Sequence, residues 1–369
     1  MKIAIVLNTS WNIFNFRFGL VKALQNAGHE VVAIAPKDEY SIKLVEQGCT
    51  FVPVKMDSRG INPIKDAALL MELYFIYKRV KPDIILHYTI KPNIYGTFAA
   101  RLLNIPVVNN VCGLGTAFIQ NNFLSRIAQV LYRASFRSSN TVFFQNQEDR
   151  KFFEDKNIVK EGHCETLPGS GIDPSIFKPA LKKTEKFTFL LISRLIHDKG
   201  ILEFIEAVKQ LKSQNMDANF QILGSIDSSH RRGISASLIQ SWIDNKVIDY
   251  LGKAEDVKPF IQNADCVVLP SYREGTPRTL IEAASMAKPI VASNVAGCTN
   301  IVKDGENGLL CEVKNAADLA AKMNEMYQMH PDLREKMGKN GRAKVESSFD
   351  EKIVIDKYLK VIDHLTDQN

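Results

Sequence analysis

Metal-ligand spacing is missing from this 369-residue sequence, whose six cysteines (Cys49, Cys112, Cys164, Cys266, Cys298 and Cys311) form no Cys-x-x-Cys or Cys/His pattern. That excludes a zinc module and a disulfide framework, so the cysteines read as small apolar core residues. No run of 18 uninterrupted apolar residues occurs, and no membrane span is expected. The opening, Met1-Lys2 followed by Ile3-Ala4-Ile5-Val6-Leu7, carries no basic leader and no small-residue cleavage site, which predicts a cytoplasmic protein. Glycine is absent from Asn8 to Arg17, where a dinucleotide-binding Gly-x-Gly-x-x-Gly would lie, and this disfavours hydride chemistry on NAD. No Asp-x-Asp pair adjoins a predicted strand end, so no essential metal or resident cofactor is expected.

What is present describes a folded enzyme-sized chain. Hydrophobic residues make up 45% and charged residues 24%, a globular balance, and the length suits two domains. The net charge of +6 is localised: residues 1–170 hold 20 Lys/Arg against 14 Asp/Glu, while the remainder holds 27 of each. From Arg59 to Arg137 ten basic residues face only Asp66, Glu72 and Asp83. Such a patch suits an anionic membrane surface, a phosphorylated substrate or nucleic acid, and a solvated helix face is the plainer reading.

Short β-branched runs alternate with amphipathic stretches throughout, the pattern of parallel sheets built from βαβ units. Strands are predicted at Ile3–Leu7, Val31–Ala35, Ile84–Leu86, Val107–Asn109 and Thr141–Phe144, with helices near 15–27, 39–47, 63–80, 93–103 and 122–137. The turn-rich segment Pro168–Pro179 and the Lys-rich residues to Lys186 interrupt this rhythm. A boundary there gives an amino-terminal Rossmann-like domain over 1–168 and a second over 169–351. After it come strand Phe187–Ser193, helix 201–213 and strands Phe220–Gly224, Cys266–Leu269 and Pro289–Ala292.

Two clusters carry chemistry. Arg194 ends strand Phe187–Ser193, and Lys199-Gly200 opens the next helix. Two cations at the carboxyl mouth of a parallel strand beside a helix N-terminus suit a diphosphate. After strand Cys266–Leu269 runs Pro270-Ser-Tyr-Arg-Glu274-Gly275-Thr-Pro-Arg-Thr-Leu-Ile-Glu282. Gly275 permits close backbone approach, and Thr279 and Leu280 lie in a first helical turn where free amides favour phosphate. A carboxylate near that phosphate can accept ribose hydroxyls and one in the loop can accept sugar hydroxyls. Together they describe a nucleotide-sugar pocket, against the alternative of a surface helix with two unrelated glutamates.

These residues resemble the retaining glycosyltransferases of family 4, which have the GT-B fold of two Rossmann-like α/β domains facing across a cleft. The resemblance spans most of the chain. It is most specific at Ser193-Arg194…Lys199-Gly200, Ala264-Asp265…Pro270-Ser271…Glu274-Gly275…Glu282-Ala283, Lys288-Pro289-Ile290-Val291 and Asp304-Gly305…Asn307-Gly308. It implies catalytic roles for Glu274, Arg194 and Lys199, with both cations on the donor diphosphate and Glu274 on hydroxyls of the transferred sugar. It also implies donor contacts from Gly224, Ser225, Gly275 and the Thr279-Leu280 amides, and from Glu282 to the ribose. The last helix, Ile353–Leu365 within 352–369, would cross back onto the first domain. Two positions depart from the pattern: Asn109-Asn110 stands where a histidine is common, and Asn300 where a glutamate is usual.

The first domain resembles a branch of the family working on polyprenyl-diphosphate-linked sugars, on the strength of Thr89-Ile-Lys91-Pro-Asn93-Ile-Tyr-Gly96, of Gly113-Leu114-Gly115, and of Gly275-Thr-Pro-Arg-Thr-Leu-Ile-Glu282 with Gly297-Cys298. The implied activity is transfer of a hexose or N-acetylhexosamine from a UDP-sugar to such an acceptor, with retention, in surface-polysaccharide assembly. Acceptor candidates are Lys91, His87, Asn15 and Arg17, the last two in a bulky polar loop after the first strand; a lone His is more often structural. On a helix over Phe118–Arg137, Phe123, Ile127, Val130, Leu131 and Ala134 form one apolar side flanked by Arg126, Arg133 and Arg137. This reads either as a core-facing helix with a basic edge or as a surface docking on an anionic membrane, which would make the enzyme peripheral at the inner face of the cytoplasmic membrane. Nucleic acid is not expected as a partner. A nucleotide-sugar epimerase on the same plan and a non-catalytic nucleotide- or polyanion-binding protein are the competing readings.

Overall fold

The structure, a computed structural model, describes residues 1–57, 62–113, 123–160, 162–227 and 232–367. The chain forms two compact units, Met1–Ser170 with Glu351–Asn369, and Gly171–Asp350.

The first unit is built on strands β1 (Lys2–Val6), β2 (Glu30–Ala35), β3 (Thr50–Pro53), β4 (Ile84–Tyr88), β5 (Val107–Val111), β6 (Thr141–Phe144) and β7 (Cys164–Thr166). Their spatial order is β3–β2–β1–β4–β5–β6–β7 and every pairing is parallel. A parallel sheet is covered on both faces, which is why its inner strands are apolar runs and not alternating patterns. Ile3, Ile5 and Leu7 pack with the helices Ser10–Phe16, Phe18–Asn26, Tyr40–Glu46 and Glu351–Asp367. Ala4, Val6 and Ile85 pack with Pro63–Val80 and Thr97–Arg101, and Val142 and Phe144 of the same face with Phe123–Phe136.

The second unit repeats the plan with β8 (Thr188–Ile192), β9 (Asn219–Leu223), β10 (Asp249–Tyr250), β11 (Cys266–Leu269), β12 (Ile290–Ser293) and β13 (Gly308–Cys311), in the order β10–β9–β8–β11–β12–β13, again all parallel. Both sheets therefore reverse their winding once, between β1 and β4 and between β8 and β11. At such a switch point the loops leaving the carboxyl ends of two adjacent strands diverge and leave a crevice, where open α/β sheets bind ligands. Asp265 fixes the entry to β8: its carboxylate accepts the Thr188 amide at 2.7 Å and pairs with Lys182.

The structure departs from the sequence reading mainly at edges. The edge strands β3, β7 and β10 and the strand β13 were not anticipated. Three of them are two to four residues long and partly exposed, and β13 follows directly on the turn formers of Asp304–Gly308. The helix expected over 15–27 is two, Ser10–Phe16 and Phe18–Asn26, separated by Arg17 at φ −130° and ψ 6°. The polar loop expected after β1 is thus mostly helical, because Thr9 caps the first helix by accepting the Asn12 amide and Ser10 and Ile13 are buried.

Candidate active site

The β8–β11 switch point assembles the residues singled out in the second unit. One helical turn, His197–Lys199, follows β8 and ends at Gly200, whose φ is +70°. A Cβ at Gly200 would lie 2.0 Å from the Pro270 carbonyl oxygen, so the turn after β8 rests backbone on backbone against the loop after β11. The Tyr272 amide and the Ser271 hydroxyl both donate to the Asp198 carbonyl, at 2.9 and 3.0 Å, and close this seam. Lys199 is thereby brought onto Glu274, and the two form an ion pair whose side chains are only 21% and 10% exposed. On its other side the Glu274-Gly275 backbone meets Gly297, where a Cβ would stand 2.4 Å from the Gly275 carbonyl oxygen. Arg194 is exposed, and among the described residues its side chain has no hydrogen-bond or ion-pair partner.

The helix Arg278–Ser285 begins beside this pair. The Thr279 hydroxyl donates to the Ile192 carbonyl at 3.3 Å, pinning the helix start to the end of β8. Of the two amides expected to be free, that of Leu280 donates to the Pro277 carbonyl at 3.1 Å, a tight first turn, and the Thr279 amide is the one that remains. Glu282 is buried and accepts from Arg278 Nε at 2.9 Å, while Arg278 also donates to the Gly171 carbonyl. Burial raises the Glu282 carboxyl from its ordinary value, and the Arg278 charge works against that rise. Arg278 stands in the motif quoted from the sequence but was given no role there, although its spacing of four from Glu282 on a helix signals the pair.

Gly224 serves the site by lacking a side chain. Its amide donates to Gly252 at 2.7 Å and its carbonyl accepts from Tyr250, so neither backbone group is open to a ligand. A Cβ there would stand 1.7 Å from the Ser193 carbonyl oxygen. The Ser225 carbonyl is likewise taken, by the Leu195 amide.

In the first unit the four acceptor candidates separate. Asn15 lies on the helix Ser10–Phe16 and donates to the Trp11 carbonyl one turn back, at 2.9 Å. Lys91 is paired at 2.8 Å with Asp66, both nearly buried, and Tyr95 donates to the same carboxylate. Asp66, on the first turn of Pro63–Val80, was counted in the sequence reading only as one of the few acids of the basic stretch. His87 is fully buried on β4, 2.9 Å from the Tyr77 hydroxyl and 3.2 Å from Asn109 Oδ1. Because Asn109 Oδ1 only accepts, Nδ1 donates and Tyr77 donates to Nε2, which uses both ring nitrogens of a neutral imidazole. Burial lowers its pKa to about 3. A Cβ at Gly96 would lie 2.5 Å from His87 Nε2, so this glycine makes room for the ring. The histidine is fully buried, with both ring nitrogens satisfied inside the core. Arg17 is buried against Tyr88. Arg59, Leu114, Gly115 and the side chain of Phe123 lie outside the described residues.

The helix Phe123–Phe136 divides its apolar residues. Ala128, Leu131, Tyr132 and Phe136 face the core, whereas Ile127 and Val130 are 38% and 59% exposed. Arg133 donates to the Lys156 and Asn157 carbonyls and so anchors a turn. Among the described residues no group of three or more His, Cys, Asp or Glu has a metal-binding arrangement, and no helix is long and apolar enough to cross a membrane.

Known proteins are similar to this chain in sequence and in fold. The family described as glycosyl transferases group 1 matches residues 173–344, and the family described as glycosyl transferase 4-like matches residues 2–146. The chain is 30% identical over 383 residues, 99% of each protein, to the N,N'-diacetylbacillosaminyl-diphospho-undecaprenol alpha-1,3-N-acetylgalactosaminyltransferase of Campylobacter jejuni. It is 26% identical to the UDP-Gal:alpha-D-GlcNAc-diphosphoundecaprenol alpha-1,3-galactosyltransferase of Escherichia coli, over 89% of this chain and 90% of that one. Among solved structures, a glycosyltransferase from Rickettsia africae superposes with a TM-score of 0.81 at 20% identity, covering 100% of this chain and 99% of its own. Anabaena HepE in complex with UDP-glucose gives 0.80 at 17%, with full coverage of both.

The state of His87 makes a pH prediction. With a pKa near 6.5 when unfolded and about 3 when folded, His87 contributes stability that is present above pH 6.5 and is lost as the pH falls toward 3. Urea unfolding of wild type and His87→Gln at pH 7 and pH 5 should show the wild type losing about 2 kcal/mol more than the variant over that interval. Equal losses would mean that the ring already takes up a proton in the folded state.

Proposed function

The chain belongs to the group 1, 4-like glycosyltransferases, and we propose that within this family it transfers a hexose or N-acetylhexosamine from a UDP-sugar to a polyprenyl-diphosphate-linked saccharide, with retention at the anomeric carbon. The observation that carries this reading is end-to-end similarity to the Campylobacter enzyme, whose name specifies a diphospho-undecaprenol acceptor. The alpha products named for both relatives are those of retention from an alpha-linked nucleotide donor.

The second unit supplies the donor chemistry in this account. As the glycosidic bond breaks, negative charge develops on the diphosphate. Arg194, Lys199 and the Thr279 amide stabilise it, and a group of this kind contributes roughly 3–4 kcal/mol to the rate. The two cations take the part that a divalent ion plays in metal-dependent transferases. Glu274, held against Lys199, accepts hydroxyls of the transferred sugar, and Glu282, held by Arg278, accepts those of the ribose. Each carboxylate is thus oriented by a cation before the donor arrives, so little ordering is left for binding.

The first unit offers a surface for the membrane on which such acceptors reside. Helices Pro63–Val80, Thr97–Arg101 and Phe123–Phe136 cover one face of their sheet. Outward they carry Ile64, Met71, Phe75, Leu102, Ile127 and Val130, between 38% and 82% exposed. Lys78, Arg79, Arg101, Arg126 and Arg137 are exposed on or beside the same helices, whose only carboxylates are Asp66, spent on Lys91, and Glu72, which accepts the Lys55 amide. Exposed apolar side chains among an excess of cations complement an anionic leaflet, each cation near the surface adding about 1 kcal/mol.

Calorimetry separates the two glutamates. Glu282→Gln should weaken UDP itself, by roughly 10- to 150-fold for a lost charge-assisted contact of 1.5–3 kcal/mol, whereas Glu274→Gln should spare UDP and weaken the UDP-sugar. Equal losses for both ligands in both variants would refute the division.

Attachment is tested by sedimentation with vesicles containing anionic phospholipid. Wild type should pellet at low salt and be released at high salt, and Met71→Glu/Phe75→Glu should stay in solution while keeping its far-ultraviolet dichroism. Equal pelleting of variant and wild type would remove this face from the account.

A further inference from the structure

Most of the inward-facing cations described above have a carboxylate partner, and one does not. Arg17 lies between the helices Ser10–Phe16 and Phe18–Asn26 and is only 7% exposed. Its Nη1 donates to the Phe16 carbonyl at 2.9 Å and its Nη2 to the Cys112 sulfur at 3.7 Å. The guanidinium stacks on the Tyr88 ring at 4.7 Å, and among the described residues Nε has no hydrogen-bond partner. The ionisable groups that face it are Cys112, Tyr88 and Tyr358, with no carboxylate among them. Burial holds the Tyr88 phenol up at about 12 and raises Tyr358 as well, so both are uncharged near neutrality. A buried positive charge surrounded by neutral groups is costly, and folded proteins keep one only where something else compensates it.

Its position identifies what compensates it. Tyr88 is the last residue of β4, so Arg17 sits at the β1–β4 switch point, the ligand-binding end of the first sheet. Thr89, the next residue, holds a left-handed backbone at φ +65°, rare for a β-branched side chain, and among the described residues its buried hydroxyl also lacks a partner. Lys91, the other inward cation of this region, is already neutralised by Asp66.

We propose that Arg17, with the Thr89 hydroxyl as a second donor, is the receptor for the diphosphate of the lipid-linked acceptor. The inference rests on the acceptor class proposed above and assigns to it a site in the first unit alone. A planar guanidinium with unused N–H donors matches a phosphate or a carboxylate. The diphosphate is the anion that the named substrates of both full-length relatives carry.

The test uses inorganic pyrophosphate as the probe, with UDP at saturation to occupy the donor site of the second unit. Titration followed by thermal unfolding should show pyrophosphate raising the wild-type midpoint. In Arg17→Met, which replaces the ion by an apolar chain of similar length, the pyrophosphate response should weaken at least tenfold while the response to UDP is kept. Arg17→Lys should fall between the two, and Thr89→Val, which keeps the shape of the side chain, should weaken pyrophosphate a few-fold even if Arg17→Met fails to fold. In transfer assays the Arg17 variants should raise the acceptor KM and leave the donor KM in place. An unchanged pyrophosphate response in Arg17→Met or in both of the other variants would overturn the assignment. So would malonate protecting the wild type as well as pyrophosphate does, since the site would then be a carboxylate receptor. Loss of pyrophosphate binding in the variants, in a wild type that glycosylates no polyprenyl-diphosphate acceptor, would keep the anion site and sink the acceptor reading instead.

Discussion

Contact of backbone on backbone at three glycines is the constraint on which the donor site depends. Gly200 lies against Pro270, Gly297 against Glu274-Gly275 and Gly224 against Ser193, each so close that a Cβ would overlap a carbonyl oxygen. The loops leaving β8, β9, β11 and β12 are thereby locked to one another. Lys199 and Glu274, 75 residues apart, become an ion pair because those loops cannot separate. Side-chain packing alone would leave the pair free to drift by the size of a methyl group, and misplacement of about 1 Å in a reacting constellation can cost 100-fold in rate.

Charge compensation then sorts the inward-facing side chains into two kinds. Lys91 with Asp66, Lys199 with Glu274 and Arg278 with Glu282 are neutralised within the protein, which holds each side chain in one orientation. Arg194 on the surface and Arg17 in the interior have no such partner. The pairs fix geometry, Lys199 serving the donor diphosphate as well, and Arg194 and Arg17 add charge that has no carboxylate partner among the described residues. Each unit has an unpaired cation next to its switch point, and each substrate proposed for this enzyme carries a diphosphate. The outer face of the first unit's helix layer carries more cations than carboxylates: Asp66 is paired with Lys91, and Glu72 keeps its charge while accepting the Lys55 amide.

Central strands and the catalytic motifs were legible because their signals are local. A buried parallel strand is a short apolar run, and Arg194, Lys199, Glu274 and Glu282 stand beside glycines and helix starts that mark strand mouths. Edge strands such as β3 and β10 were not legible, since half their surface is wet and their pattern blends into loops. The split at Arg17 was hidden because no glycine or proline marks it; what breaks the helix is the burial of a guanidinium against β4, a contact across 71 residues of sequence. For the same reason the partners of His87 and Lys91 were not legible. Their partners Tyr77, Asn109 and Asp66 come from other elements, and only folding brings them within hydrogen-bond reach.

The central claim is that a sugar moves from a nucleotide to a lipid-linked diphosphate with its anomeric configuration kept. The most direct measurement is the anomeric proton coupling of the product formed from UDP-galactose or UDP-N-acetylgalactosamine and a short-chain prenyl-diphosphate saccharide. The account predicts stoichiometric UDP and a lipid-linked product one residue longer, with the small coupling of an alpha linkage. A beta-linked product, or release of free sugar with the acceptor unchanged, would contradict it.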